Sequence, residues 1–189
     1  MANKTKQALA ESLKRLLTTK PLNKITITDI TEDCAISRMT FYYHFRDIYD
    51  LIEWICMDEG GRAIGSCKDY DTWEEGFQSV CRSVLKNRSF VEAVYRSIRH
   101  DQIEEYLYRV LYEMIFAVVQ ERTEGEPIPE AERERLTEFF TMSFLGTALL
   151  WVRKGFRETP EELTRGLSMI VSGQIDLALR NYKAGVSKT

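Results

Sequence analysis

Apolar residues recur along this chain at three- and four-residue spacing almost from end to end, the period of helices buried on one side. Ala8, Leu9, Leu13, Leu16 and Leu17 mark a first helix over residues 4–19, with Pro21 just past its end. Thr26-Ile27-Thr28-Asp29 reads as the start of a second, with a hydroxyl at the N-cap and a carboxylate three residues on. That helix is short, because Ala35-Ile36-Ser37 reads as a tight turn, and Ser37 can cap a third helix from Arg38 to His44. Asp47 and Asp50 repeat the capping pattern before a fourth helix, which carries Leu51, Ile52, Trp54 and Ile55 towards Gly60-Gly61. Residues 60–71 read as a connection, through part of which helix can persist.

The second half continues in the same style, with helices expected over 72–86, 89–98, 101–123, 130–154 and 160–181. Residues 124–129, with two prolines and a glycine, are the clearest loop. Thr159-Pro160-Glu161-Glu162 is a strong helix start: hydroxyl at the N-cap, proline at N1, acids in the first turn. Ile25 to Thr28 alternates like a strand but is too short and leads into a cap. No internal repeat is evident, and the tail from Lys183 to Thr189 is expected to fray. The fold class is all-α.

Composition narrows the function. The 189 residues are 44% hydrophobic and 29% charged, enough for a packed core and unlike a disordered chain. Ten glycines and four prolines are too few for a loop-rich all-β chain. The longest uncharged stretch, Phe139 to Val152, has fourteen residues, whereas a membrane span needs about twenty, so a buried or interface helix is expected there. The N-terminus runs directly into an amphipathic pattern with no apolar run, and no secretory signal is expected. Four cysteines (34, 56, 67, 81) without a Cys-x-x-Cys pair, in a chain this size, point to reduced, packed thiols and a cytoplasmic protein. The histidines are His44 and His100; a metal site built from His100 and a cysteine is the weaker alternative, and neither metal nor cofactor is expected. Acid pairs at Glu104-Glu105, Glu130 to Glu134 and Glu161-Glu162 lie at helix starts or on solvated faces, and no nucleophile motif or phosphate-cradling glycine loop accompanies them. The chain reads as a non-enzyme.

Charge is unevenly spread. Residues 1–46 hold eight Lys/Arg against four Asp/Glu, and the remainder eighteen against twenty-five. A basic head on an acidic body suits a head that meets a polyanion. Two short helices joined by a tight turn have the dimensions of a helix-turn-helix, whose second helix can enter a major groove. Arg38 can fork onto guanine or bind phosphate, Thr40 offers a methyl and a hydroxyl, and Tyr42, Tyr43 and His44 can donate to phosphates. Phe41 and Phe45, four apart, would face a core with Ile30 and Cys34.

Thr26-Ile27-Thr28-Asp29-Ile30, then Cys34 to Phe45 with its run Thr40-Phe41-Tyr42-Tyr43-His44-Phe45, then Asp50-Leu51-Ile52 resembles the DNA-binding domain of the TetR family of bacterial transcription regulators. The likeness covers about the first 55 residues. The stretch from Phe140 to Leu167, with Gly146, Trp151, Gly155 and Pro160 to Leu163, is similar to a subgroup that includes activators of dihydroxyacetone-kinase operons. The resemblance implies a helix-turn-helix DNA-binding domain over 1–47 and a helical dimerisation and effector-binding domain over 48–189. It implies that Thr26 caps the second helix and bonds a phosphate, with Thr28 also at the DNA. Ser37 caps the recognition helix, Arg38, Met39 and Thr40 read bases, and Tyr42, Tyr43 and His44 hold the backbone. Two residues depart from the family pattern. The usual glycine of the turn is Ala35, where a positive φ would be strained. The frequent lysine at the start of the fourth helix is Ile48, which removes a phosphate contact, although that helix N-terminus can still offer backbone N–H groups.

The body is expected to dimerise and to sense a ligand. Family resemblance implies that the apolar run and the last helix form a four-helix interface with their symmetry mates. Phe140, Phe144, Leu145, Leu149 and Val152 of the apolar run, with Leu167, Val171 and Ile175 of the last helix, are the expected interface residues; the last three belong to a stripe of Leu163, Leu167, Ile170, Val171, Ile175 and Leu179. A two-fold dimer suits a palindromic operator, because one short helix reads few base pairs. Aromatics are dense between 73 and 116, and Trp73, Phe77, Tyr95, Tyr108, Tyr112 and Phe116 are candidates for the lining of a small-molecule effector pocket. Such an effector must favour one separation of the two heads over another. The competing class is a helical dimer of the same kind that has lost DNA binding and docks another protein. Ala35 and Ile48 keep it open; Arg38, Thr40, Tyr42 and His44 argue against it.

Overall fold

A computed structural model describes residues 2–67, 69–97 and 100–186. These form α1 (Ala2–Leu17), α2 (Ile27–Asp33), α3 (Arg38–His44), α4 (Ile48–Ile64), α5 (Trp73–Lys86), α6 (Arg88–Ser97), α7 (His100–Thr123), α8 (Glu130–Arg153), α9 (Pro160–Val171) and α10 (Gln174–Val186), with a short 3-10 turn at Leu22–Lys24. Among the described residues there is no strand. Residue 98 of the expected helix 89–98, and residues 187–189 of the tail expected to fray, lie outside the described residues; the helix itself persists to Val186.

Helix α4 persists past Gly60-Gly61 into the expected connection and runs to Ile64, which is 2% exposed. Gly60 is there for close approach: a Cβ on it would lie 2.6 Å from Val110 Cγ1 on α7. One expected element is corrected: the single helix expected over 160–181 is two helices. Gly173 adopts φ +74° between them, and the Ser172 N–H closes α9 on Ser168 O. Leu163, Leu167, Ile175 and Leu179 stay in helical phase across the break and are all buried, so their period alone could not reveal it.

The chain divides into two compact units, Met1–Glu59 with Lys86–Tyr106, and Gly60–Leu85 with Leu107–Thr189. This partition differs from a cut at residue 47. The first unit keeps the first three turns of α4, whose Leu51, Ile52 and Ile55 are buried, and takes in α6, which packs on α1 through buried Phe90 and Val94. Its core holds Leu9, Leu13, Ile30, Phe41 and Phe45. Polar ties fix the helices: buried Ser12 Oγ donates to Ile30 O at 2.9 Å. Lys14 is ion-paired with Glu59, whose other oxygen accepts from Asn87 Nδ2 at 2.8 Å, which joins α1, α4 and the start of α6. Lys6 Nζ stands 5.4 Å from the Phe45 ring centroid and 5.5 Å from that of Trp54.

The second unit is centred on Phe144, which meets Trp73 and Phe77 edge-on at 5.3 and 5.0 Å. Leu111, Met114 and Val119 of α7 and Phe140, Leu145 and Trp151 of α8 fill the core around it. The Trp151 indole donates to Glu158 O, and Arg133 donates to Thr123 O and Glu126 O, which secures the 124–129 loop. All four cysteines are free thiols, and burial pushes the Cys81 thiol up to about 12.

The expected dimer residues differ in exposure within the single chain. Phe140, Phe144, Leu145, Val152, Leu167 and Ile175 are buried within the single chain, and Leu149 and Val171 are half-buried. From Phe139 to Val152, helix α8 is apolar nearly all round, so hydrophobicity does not say which side meets its own chain. Its solvent side instead carries Phe139, Met142 and Leu150, and α9 and α10 expose Met169, Ile170 and Leu177.

Candidate nucleic-acid interface

The head presents one short helix outward. Helix α2 begins at a complete capping box: Thr26 Oγ1 accepts from Asp29 N–H at 3.1 Å, and Asp29 Oδ2 accepts from Thr26 N–H at 2.7 Å. The Thr26 hydroxyl hydrogen also goes to Asp29, at 2.8 Å, so this residue's first duty is structural. Lys20 is hydrogen-bonded to Asp29, and together with the Thr26 bonds it lowers that carboxyl to about 2. Thr28 is half-buried in the first turn of α2.

Helix α2 ends in a Schellman turn. Ile36 N–H bonds Thr31 O and Ala35 N–H bonds Glu32 O, with Ala35 at φ +54°. The turn therefore forms with alanine where glycine would be easier, and the strain foreseen for this position is present. Ser37 then caps α3 by accepting from Thr40 N–H at 3.1 Å. The Ser37 and Thr40 hydroxyls are also bonded to each other, at 2.8 Å, so Thr40 turns its oxygen to the cap.

Burial orients α3 about its axis. Phe41 (0% exposed) and Phe45 (3%) anchor one side in the core, while Met39 and Tyr43 (83% each) point the opposite way. Arg38 and Tyr42 lie along one flank, both exposed, and Thr40 and His44 along the other, both half-buried. Tyr42 packs edge-on against Phe41 and Tyr43 against His44, with centroids 5.8 and 5.0 Å apart, which limits their freedom. All nine expected DNA-contacting residues thus fall on α3 or at the two helix starts before it. At the head of α4, Asp47 accepts from Asp50 N–H, and Asp50 from Arg46 N–H, both at 2.9 Å. With Ile48 in place of a lysine, this end carries carboxylates and has already used part of its donor set.

The expected pocket residues fall in both units. A cavity in the second unit encloses about 390 Å³ of empty space, part of it open to solvent, with room for only a few water-sized groups between its walls. Of the six expected residues only Trp73 lines it; the rest of the wall includes Tyr70, Ile115, Val118, Phe140, Phe144 and the α9–α10 break at Val171, Ser172 and Ile175. Sequence reasoning places Phe140, Phe144, Val171 and Ile175 at a dimer interface and names none of these for a pocket. Beside the cavity, the Arg122 guanidinium stands 4.3 Å from the Tyr70 ring centroid and is ion-paired with Asp176. Phe77 is buried in the core, and Tyr95 belongs to the first unit. Tyr108, Tyr112 and Phe116 form a ladder along α7, with successive centroids 5.6 and 6.0 Å apart; Phe116 is exposed and the two tyrosines half-buried. Burial and the carboxylates of Glu134, Glu138 and Glu130 raise the Tyr112 hydroxyl above its usual range. Among the described residues, no cluster of three or more His, Cys, Asp or Glu is placed to hold a metal, and no helix is long and apolar enough to cross a membrane.

Comparison with known proteins adds to this geometry. A family model described as a transcriptional regulator C-terminal region, of TetR type, matches residues 71–173. The HTH-type dhaKLM operon transcriptional activator DhaS of Lactococcus lactis subsp. lactis (strain IL1403) is 25% identical over 91 residues, 48% of this chain and 49% of that protein. The match spans about half the length of that curated relative. Among solved structures, a dihydroxyacetone kinase operon activator DhaS aligns over 92% of this chain and 97% of its own, with a TM-score of 0.72 and 19% identity. A TetR transcriptional regulator from Streptococcus agalactiae 2603V aligns over 90% and 94%, with a TM-score of 0.57 and 22% identity. The TetR family repressor AlkX from Dietzia sp. strain DQ12-45-1b aligns over 90% and 95%, with a TM-score of 0.56 and 15% identity. These likenesses show a shared fold.

Proposed function

Because the chain belongs to the TetR family of transcriptional regulators, its C-terminal part resembling activators of the DhaS kind, we propose that it binds a palindromic operator in double-stranded DNA as a homodimer in the bacterial cytoplasm. The observation that carries this reading is the outward side of α3. Exposed Arg38, Met39, Tyr42 and Tyr43 stand on a helix that is capped at its start and anchored by Phe41. The chemistry of these side chains suits a groove: a guanidinium fork, an apolar tip and two phenolic donors.

Dimerisation is supported by the exposed apolar side of α8, α9 and α10. Phe139, Met142, Leu150, Met169, Ile170 and Leu177 are too many large apolar groups on adjacent helices for a monomer's surface. A two-fold pairing through them matches the two-fold of a palindrome. A small apolar effector, entering the cavity at the α9–α10 break, would act by changing the balance between two arrangements of the dimer. The cavity is narrow, so a ligand of more than a few atoms must widen it.

The test is selection of bound sequences from random duplex DNA at fixed salt, with Arg38→Ala in parallel. Enrichment of a palindrome whose information content drops at one symmetric position in the variant is the expected result. A stable, folded dimer that enriches nothing would overturn the reading in favour of a protein-docking role.

A further inference from the structure

The orientation of α3 about its axis says more than that the helix contacts DNA. Each residue of an α-helix advances the side chain by about 100°. Met39 and Tyr43 therefore share one ridge, and Phe41 lies nearly opposite, with Phe45 buried just past the helix end. The exposures agree: 83% for each of the first pair, 0% and 3% for the second. A helix lying in a groove with Phe41 towards its own domain presents the Met39–Tyr43 ridge deepest. Of these two, Met39 lies in the first turn, the part of a recognition helix that faces base edges. Thr40, the other apolar-capable residue of that turn, is half-buried and has its hydroxyl committed to Ser37 at 2.8 Å. Arg38 lies on the flank beside Tyr42. The deepest group is thus an unbranched thioether with no hydrogen-bond donor.

That chemistry restricts what it can read. Against a cytosine amino group or the guanine O6 and N7 edge, Met39 would strip water from polar atoms and offer no strong partner in return. Against the 5-methyl group of thymine it buries apolar surface on both sides at no such cost. The flexibility of methionine lets it follow the methyl without a strained rotamer. Resting on the DNA-binding reading above, we propose that Met39 is a specificity-determining residue that recognises a 5-methylpyrimidine, so that each operator half-site carries a thymine at the position facing it.

The test uses the full-length protein and the operator enriched from random duplex DNA. Each thymine of the half-site is replaced in turn, symmetrically in both halves, by deoxyuridine, which removes the methyl and nothing else. Binding is measured by fluorescence anisotropy at fixed salt for the parent and for Met39→Ala. One methylene-sized apolar contact predicts about a fourfold loss per half-site, and about fifteenfold for the symmetric pair. The expected result is a single thymine whose replacement weakens the parent by that amount and leaves Met39→Ala unchanged. At the same position, cytosine should bind the parent weakly and 5-methylcytosine should recover part of the loss, with no recovery in the variant. The proposal is overturned if no thymine shows a methyl effect, or if Met39→Ala retains the effect at every position. Because Met39 is exposed, loss of fold is not expected; an unchanged circular dichroism spectrum and melting temperature confirm it. Failure to enrich any operator would sink the DNA-binding reading itself, an outcome distinct from an operator without a methyl effect.

Discussion

Ala35→Gly is expected to stabilise this protein, the reverse of the usual effect of introducing glycine. Ala35 occupies the C′ position of the Schellman turn that ends α2, at φ +54°. An L-residue in the left-handed region is disfavoured by roughly 1–2 kcal/mol because its Cβ crowds the neighbouring carbonyl. Glycine escapes that crowding but gains freedom in the unfolded chain, which costs about 0.4–1 kcal/mol. No packing is forfeited, because Ala35 is exposed. The balance is a net gain of about 1 kcal/mol, equivalent to about 2–4 °C in melting temperature for a chain of this size. Urea unfolding at one fixed protein concentration, which holds any contribution of self-association constant between variants, reads the difference. Ala35→Val is the control: a β-branched residue tolerates positive φ worse than alanine and should lose stability. If Ala35→Gly is less stable than the parent, or if Val and Gly behave alike, the strain assigned to this turn is wrong. Operator affinity should stay as it is in the glycine variant, since Ser37 and α3 keep their geometry.

Four further outcomes follow from the geometry. Tyr42→Phe, which removes one phenolic donor on the flank of α3, should weaken binding to operator and random DNA alike, as titrations on both would read. Phe139→Arg with Ile170→Asp should yield a folded monomer by light scattering, whereas Phe144→Ala should cost about 3–5 kcal/mol in unfolding free energy because it empties the Trp73–Phe77 cluster. The Asp29 carboxyl is held near about 2, against 3.8 unperturbed, so the charged form is favoured in the fold; its contribution is complete above about pH 4 and is lost as pH falls towards 2. Asp29→Asn should therefore flatten the acid limb of a stability–pH curve in that window.

The amino-acid sequence by itself determined the elements of the head and most of those in the body. Local rules suffice there: Thr26 with Asp29 and Ser37 before Arg38 are caps whose hydrogen bonds close within three residues, so no distant contact is needed to fix them. Ala35, read as the strained position of the turn, is strained for a reason internal to the chain. Tertiary structure decided everything that depends on which side of a helix meets what. From Phe139 to Val152, helix α8 is apolar around most of its circumference, so only packing separates buried Phe140 and Phe144 from exposed Phe139 and Met142. Gly60 reads as the start of a connection, yet it is the gap that lets α4 approach Val110. The break at Gly173 leaves the hydrophobic period intact. The same holds for the candidate site: sequence named Arg38, Met39 and Thr40 as equals, and only the burial of Phe41 and the Ser37–Thr40 bond set Met39 at the front. Caps and turns are local, so one stretch of chain encodes them; faces, close approaches and pockets are properties of pairs of elements, which exist only once the chain has folded.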